Sequence, residues 1–79
     1  MLMSIIKVKP LDNYKLELTF SNGKEGIFDV APYLDKGIFK ELRNPSMFKS
    51  VRLSDYPTIE WANGADLCPD CVYLETKFV

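Results

Sequence analysis

Two stretches of the sequence hold residue types that carry chemistry: Cys68-Pro69-Asp70-Cys71 and Trp61-Ala62-Asn63-Gly64-Ala65-Asp66-Leu67. With Pro69 as first helical residue, Cys68 caps a helix and Cys71 lies in its first turn. The helix dipole there favours a thiolate. The pair is therefore a candidate redox dithiol of thioredoxin type, although that motif ordinarily follows a strand of a βαβ unit and here it trails an antiparallel hairpin. It is equally half of a structural zinc site. Zinc takes four ligands, and the chain has no histidine, so a Cys₄ site would have to be shared across a dimer. The plain alternative is two small, half-buried residues at a helix start.

In the second stretch Trp61, Asn63, Gly64 and Asp66 are a candidate ligand loop: an aromatic, an amide and a carboxylate around a small pocket. Asp66 could act as a general base if burial raised its pKa. The structural alternative is as simple. Asn63-Gly64 is a turn signal, Asp66 can accept backbone N–H groups ahead of the last helix, and a tryptophan is more often core than cofactor platform. Asp29 or Glu60 could pair with Asp66 for acid–base work or a divalent ion. However, the chain's 11 acids suit a solvated face better. There is no Ser-His or Cys-His arrangement and no glycine-rich phosphate loop. No catalytic residue is assigned, and the inventory leans away from an enzyme.

The elements that must position these residues can be read from hydrophobic period. Ile5 to Leu11 reads as a strand, with Ile6 and Val8 facing opposite Lys7 and Lys9 and Pro10 near its end. Asp12-Asn13 is a turn. Tyr14, Leu16, Leu18 and Phe20 alternate with Lys15, Glu17, Thr19 and Ser21, which predicts a half-buried antiparallel strand. Asn22-Gly23 predicts a type I′ hairpin turn, and Lys24 to Val30 is the return strand.

The period then changes. Pro32 opens a helical turn with Tyr33 and Leu34, which Gly37 ends. Phe39 and Leu42 mark a second short helix, broken at Asn44-Pro45. Ser46 caps one more turn that buries Met47 and Phe48. Val51 to Leu53 and Thr58 to Trp61 are two short strands joined through Ser54-Asp55-Tyr56-Pro57. Pro69 opens a last helix with Tyr73 and Leu74 on its apolar side. The order β-β-β-α-α-β-β-α predicts a small two-layer α+β domain over residues 1–79. Its antiparallel sheet, a hairpin meander plus a second hairpin, is covered by short helices.

Composition sets the outer limits. Of 79 residues, 47% are hydrophobic and 13% aromatic, which argues for a packed fold and against disorder. So small a domain with surplus apolar surface often dimerises. The net charge is −1 and the basic residues are scattered. Phosphate binding needs a clustered basic face, so nucleic acid is a poor first reading unless folding gathers Lys40, Arg43, Lys49 and Arg52. No apolar run approaches a membrane span, and Met1-Leu2-Met3-Ser4-Ile5-Ile6 is not a secretory signal. Two cysteines three positions apart make a poor disulfide framework, so the expected location is cytoplasmic with reduced thiols.

Taken in order, Phe20-Ser21-Asn22-Gly23-Lys24, Phe28-Asp29-Val30-Ala31-Pro32, Phe39 with Leu42, Pro45 with Phe48, and Trp61-Ala62-Asn63-Gly64-Ala65-Asp66-Leu67 with Pro69 form one pattern. It resembles the bacterial domain-of-unknown-function family DUF2442 over nearly the whole chain. Its most specific part is Trp-x-Asn-Gly-x-Asp with a proline three residues on. The resemblance implies a two-layer α+β fold like the N-terminal domain of a nitrosomonad protein of unknown role, and no catalytic residue to carry over. It also implies members that stand alone, lie beside small genes of toxin–antitoxin flavour, or are fused to a helix-turn-helix that this sequence does not contain. The expected function is a non-enzymatic interaction or oligomerisation module, accessory to a toxin–antitoxin-like or regulatory pair. Its expected partner is a protein or a second copy of the chain. The alternatives are a metal- or redox-responsive module on Cys68 and Cys71, and a small-ligand or enzymatic site around Trp61, Asn63 and Asp66.

Overall fold

The computed structural model describes residues 4–55 and 58–79. Met1-Leu2-Met3 and the Tyr56-Pro57 half of the expected connection lie outside the described residues. The chain forms β1 (Ile5–Leu11), β2 (Lys15–Phe20) and β3 (Glu25–Asp29), then two 3₁₀ turns over Ala31–Tyr33 and Gly37–Arg43. After these come α1 (Pro45–Phe48), the hairpin β4 (Arg52–Leu53) and β5 (Ile59–Glu60), α2 (Pro69–Glu75) and β6 (Lys77–Phe78). The main sheet is antiparallel in the order β1-β2-β3-β6, and β4-β5 is a separate two-stranded antiparallel sheet.

The alternation read in β2 is realised. Leu16, Leu18 and Phe20 are wholly buried while Lys15 and Glu17 are exposed. One face of the sheet packs into a single cluster with Leu42, Phe48, Ile59, Trp61 and Val72. The other face carries Lys7, Lys9, Lys15 and Glu17 into solvent. The result is the two-layer α+β architecture.

In β1 the register shifts between Ile5 and Lys7. A bulge re-aims the residues on either side of it, so Ile5 joins the core and Ile6, expected on the same face as Val8, is pushed out to 48% exposure. The first connection also differs. Tyr14 is not a strand residue: it and Asn13 have φ of 59° and 63°. That conformation is costly for a bulky side chain. It is held by the Tyr14 hydroxyl donating to the Arg43 carbonyl, by its carbonyl accepting from the Val30 N–H, and by an edge contact with the Phe48 ring at 5.3 Å.

The second turn is not type I′. Gly23 has φ 85° and Asn22 has no positive φ. The Phe20 carbonyl accepts from the Gly23 N–H, the Phe20 N–H donates to Lys24, and the Asn22 side chain accepts from the Lys24 N–H. This is a three-residue loop with a glycine bulge, the alternative solution for joining twisted strands.

The middle segment is 3₁₀ rather than α-helical. Gly37 begins the second turn instead of ending the first, and Asn44, not Ser46, caps α1, its side chain accepting from the Ser46 N–H at 2.9 Å. In α2 the buried residue is Val72, with Tyr73 half-buried and Leu74 pointing out at 83% exposure. After α2 the chain adds β6, which the sequence reading had left as a tail. Gly26 makes room for it: a Cβ there would meet Thr76 Cγ2 at 2.5 Å and the Lys77 carbonyl at 2.7 Å. No helix among the described residues is long and apolar enough to cross a membrane.

Candidate functional site

The two stretches singled out by chemistry become neighbours along one run of chain, from β5 through a tight loop into α2. Trp61 is buried, and its indole N–H donates to the Phe48 carbonyl at 3.0 Å. Its ring meets Phe39 edge-on at 6.2 Å and lies at a tilt to Phe48 at 6.4 Å. The loop closes on itself through Gly64 N–H to the Trp61 carbonyl and Trp61 N–H to the Ala65 carbonyl, with Gly64 at φ 92°.

Asn63 spends its whole amide on structure. Its oxygen accepts from the Ala65 N–H at 3.0 Å, and its NH₂ donates to the Ile38 carbonyl at 3.3 Å and to the Glu41 carboxylate at 3.1 Å. Ser50 adds another tie: its Oγ accepts from the Ala62 N–H and donates to the Met47 carbonyl. Trp61 and Asn63 thus bolt the loop onto the 3₁₀ turn and α1. Sequence reasoning did not identify Ser50, and nothing in its surroundings distinguishes it from an ordinary loop serine.

Asp66 faces elsewhere. It is exposed, and it bridges to Glu60 as an isolated antiparallel pair. Of the two carboxylates weighed as its partners, the structure brings up Glu60. Asp29 instead accepts from the Ala31 N–H at 3.0 Å, ahead of the 3₁₀ turn. Asp66 and Glu60 line an open groove of about 580 Å³ together with Asp55, Thr58, Leu67 and Cys68. Arg52 reaches Glu60 at 3.3 Å from outside the lining. The Thr58 hydroxyl donates to the Leu67 carbonyl and fixes the groove's floor.

Cys68 opens α2 as its cap and Cys71 follows in the first turn; both are free and exposed. The cap geometry closes no full hydrogen bond to the Cys68 side chain. The Cys71 and Asp70 amides nevertheless point toward its sulfur and hold the thiol below its ordinary value. The Cys71 thiol is pushed up, chiefly by its interaction with Cys68, then by loss of solvent and by the charges of Glu75 and Asp70. Of the two adjacent thiols, Cys68 is therefore the one whose ionisation is favoured.

Among the described residues no three His, Cys, Asp or Glu side chains stand close enough to hold a metal ion. A zinc site on these thiols would need the cysteines of a second copy.

A second groove, of about 630 Å³, lies between β1 and the β4 segment and reaches over β2 to Glu25 at the start of β3. It is lined by the bulged-out Ile6, by Val8, Val51 and Leu53, by Lys7, Lys9 and Arg52, and by Glu17 and Glu25. Ile6 and Leu53 are 48% and 40% exposed. The four cations weighed for a basic face are partly spent: Arg43 pairs with Asp35 and donates to the Leu34 carbonyl, and Arg52 pairs with Glu60.

The family model described as "Protein of unknown function (DUF2442)" matches residues 5–78. The comparisons with curated proteins and with solved structures give no match.

Proposed function

The chain belongs to this family of unknown function, and from that premise we propose that it is a non-enzymatic protein-interaction module that docks through the β1 edge. The observation that carries this reading is the pairing of Ile6 and Leu53, two large aliphatic side chains exposed on one groove beside the outermost strand. Water-exposed aliphatics that share a groove gain about 25 cal/mol for each Å² covered. An edge strand offers unpaired backbone groups beside them. Lys7, Lys9 and Arg52 together with Glu17 and Glu25 give the rim both signs of charge, which suits a protein partner better than a polyanion.

The partner is a second copy of the chain or another small protein, such as the other half of a toxin–antitoxin-like pair in a bacterial cytoplasm. The loop around Trp61 and Asn63 supports a ligand site less well, because its aromatic ring and amide are committed to packing and backbone.

The test is native mass spectrometry of the reduced protein, alone and co-expressed with the small proteins encoded next to it. The expected result is an assembly that Ile6→Lys and Leu53→Lys each dissociate, with far-ultraviolet circular dichroism unchanged. A wild-type chain that stays monomeric under both conditions overturns the reading.

A further inference from the structure

The groove at the start of α2 goes beyond the interaction face, because it joins a reactive thiol to an electrostatic filter. Cys68 lines it together with Asp55, Glu60 and Asp66, and no lysine or arginine is among the described lining residues; Arg52 offsets Glu60 from outside, so the net negative charge rests on Asp55 and Asp66. Cys71 stands in the first turn of α2, free and exposed. Cys68 is the extended cap and Cys71 lies in the first turn, near enough for their side chains to interact, so closure of that turn brings the two sulfurs to disulfide geometry. Pro69 between them presets that turn.

We propose that Cys68 and Cys71 form a reversible dithiol–disulfide site that exchanges with small cationic disulfides, the acidic groove selecting them over anionic ones. The Cys68 thiolate attacks one sulfur of the disulfide RSSR. That S–S bond breaks, a Cys68–S–SR mixed disulfide forms, and RS⁻ leaves and is protonated. Cys71 then loses its proton and attacks the Cys68 sulfur. The mixed disulfide breaks, a second RS⁻ leaves and takes up a proton, and the Cys68–Cys71 bond forms. One dithiol is oxidised by two electrons while one RSSR is reduced to two RSH. The amides of the first turn hold the Cys68 thiol down while Cys71 is pushed up, which sets the order, Cys68 first and Cys71 resolving. The groove sets the preference, because negative walls concentrate cations and repel anions in proportion to their charge.

The experiment follows exchange of the full reduced chain with cystamine and with oxidised glutathione by acid-quenched mass spectrometry, each rate divided by that of a free-cysteine peptide. Wild type is expected to proceed to the intramolecular disulfide and Cys71→Ser to stop at a Cys68 adduct. Cystamine is expected to gain at least about tenfold over oxidised glutathione relative to the peptide. Asp66→Asn with Asp55→Asn, both exposed, are expected to remove most of that gain, as is raised salt. Stable adducts on both cysteines of the wild type, a preference equal to the peptide's, or zinc retained at one per two chains would each overturn the proposal.

Discussion

Within the Trp-Asn-Gly-Asp stretch the residues divide by what their side chains touch. Asn63 satisfies the N–H of the buried Ala65 and ties two turns together. Removing it leaves that amide without a partner, and an orphaned buried donor costs about 1–3 kcal/mol. Asn63→Ala is therefore expected to lower the urea midpoint with an unchanged denaturant slope. Asp66 has its carboxylate in solvent and lies opposite Glu60, a like-charge pair that gives nothing to stability. Asp66→Asn is expected to shift unfolding by less than about 0.5 kcal/mol, neutral or slightly stabilising. If Asp66→Asn cost as much as Asn63→Ala, the loop would be closed by a carboxylate contact, and Asp66 would not be free to serve the groove. The sequence named all four loop residues but could not rank them. Burial decides the ranking, and the burial of Trp61 depends on Phe39 and Phe48, more than ten residues away in the chain.

Elements legible in the sequence were those with a long period. Leu16, Leu18 and Phe20 stand in strict alternation, so β2 and the hairpin to β3 were visible, while the loop type was not, because Asn-Gly serves two turn geometries. Strand β6 was invisible because two residues carry no period; its signal is Gly26, whose missing Cβ lets Thr76 and Lys77 close on β3. Gly26→Ala is expected to force β6 and the end of α2 apart, destabilising by about 1–3 kcal/mol. It should also speed amide exchange at Val79, whose N–H donates to the Glu25 carbonyl. Unchanged exchange there would mean that β6 is not held by this close approach. The far side of α2 has its own tie. The Tyr33 hydroxyl donates to Glu75 at 2.7 Å, and partial burial, then that bond and the nearby negative charges, push its pKa from 10.0 to about 12. The folded chain keeps this proton after the unfolded chain has lost it. The stability it contributes is complete below pH 10 and is lost as pH rises toward about 12. Spectrophotometric titration of the folded protein should show a late phenol that Tyr33→Phe removes, and the same variant should flatten the fall in stability across that window.

At the scale of the whole molecule, packing and charge decide how the exposed apolar side chains should be read. The radius of gyration is 11.5 Å, against about 11.6 Å for a compact chain of this length. Ile6, Leu53, Leu74 and Phe78 are therefore left outside a normally dense core rather than exposed by a loose one. A net charge of −1 puts little repulsion in the way of association. The same architecture predicts an uneven stability. Strand β2 is covered by β1 and β3 and contributes three wholly buried side chains. By contrast, β4, β5 and β6 hold two residues each at the margins. Native-state hydrogen exchange should find the slowest amides in β2, opening only with global unfolding, and faster sub-global opening in β4, β5 and β6. Because docking is proposed at β1, raising protein concentration should slow exchange along that edge while leaving β6 unchanged. The effect should survive added salt, since it rests on apolar burial rather than on exposed charge. Slowing confined to β6 would instead place the contact at Phe78 and move the interaction face to the opposite edge of the sheet.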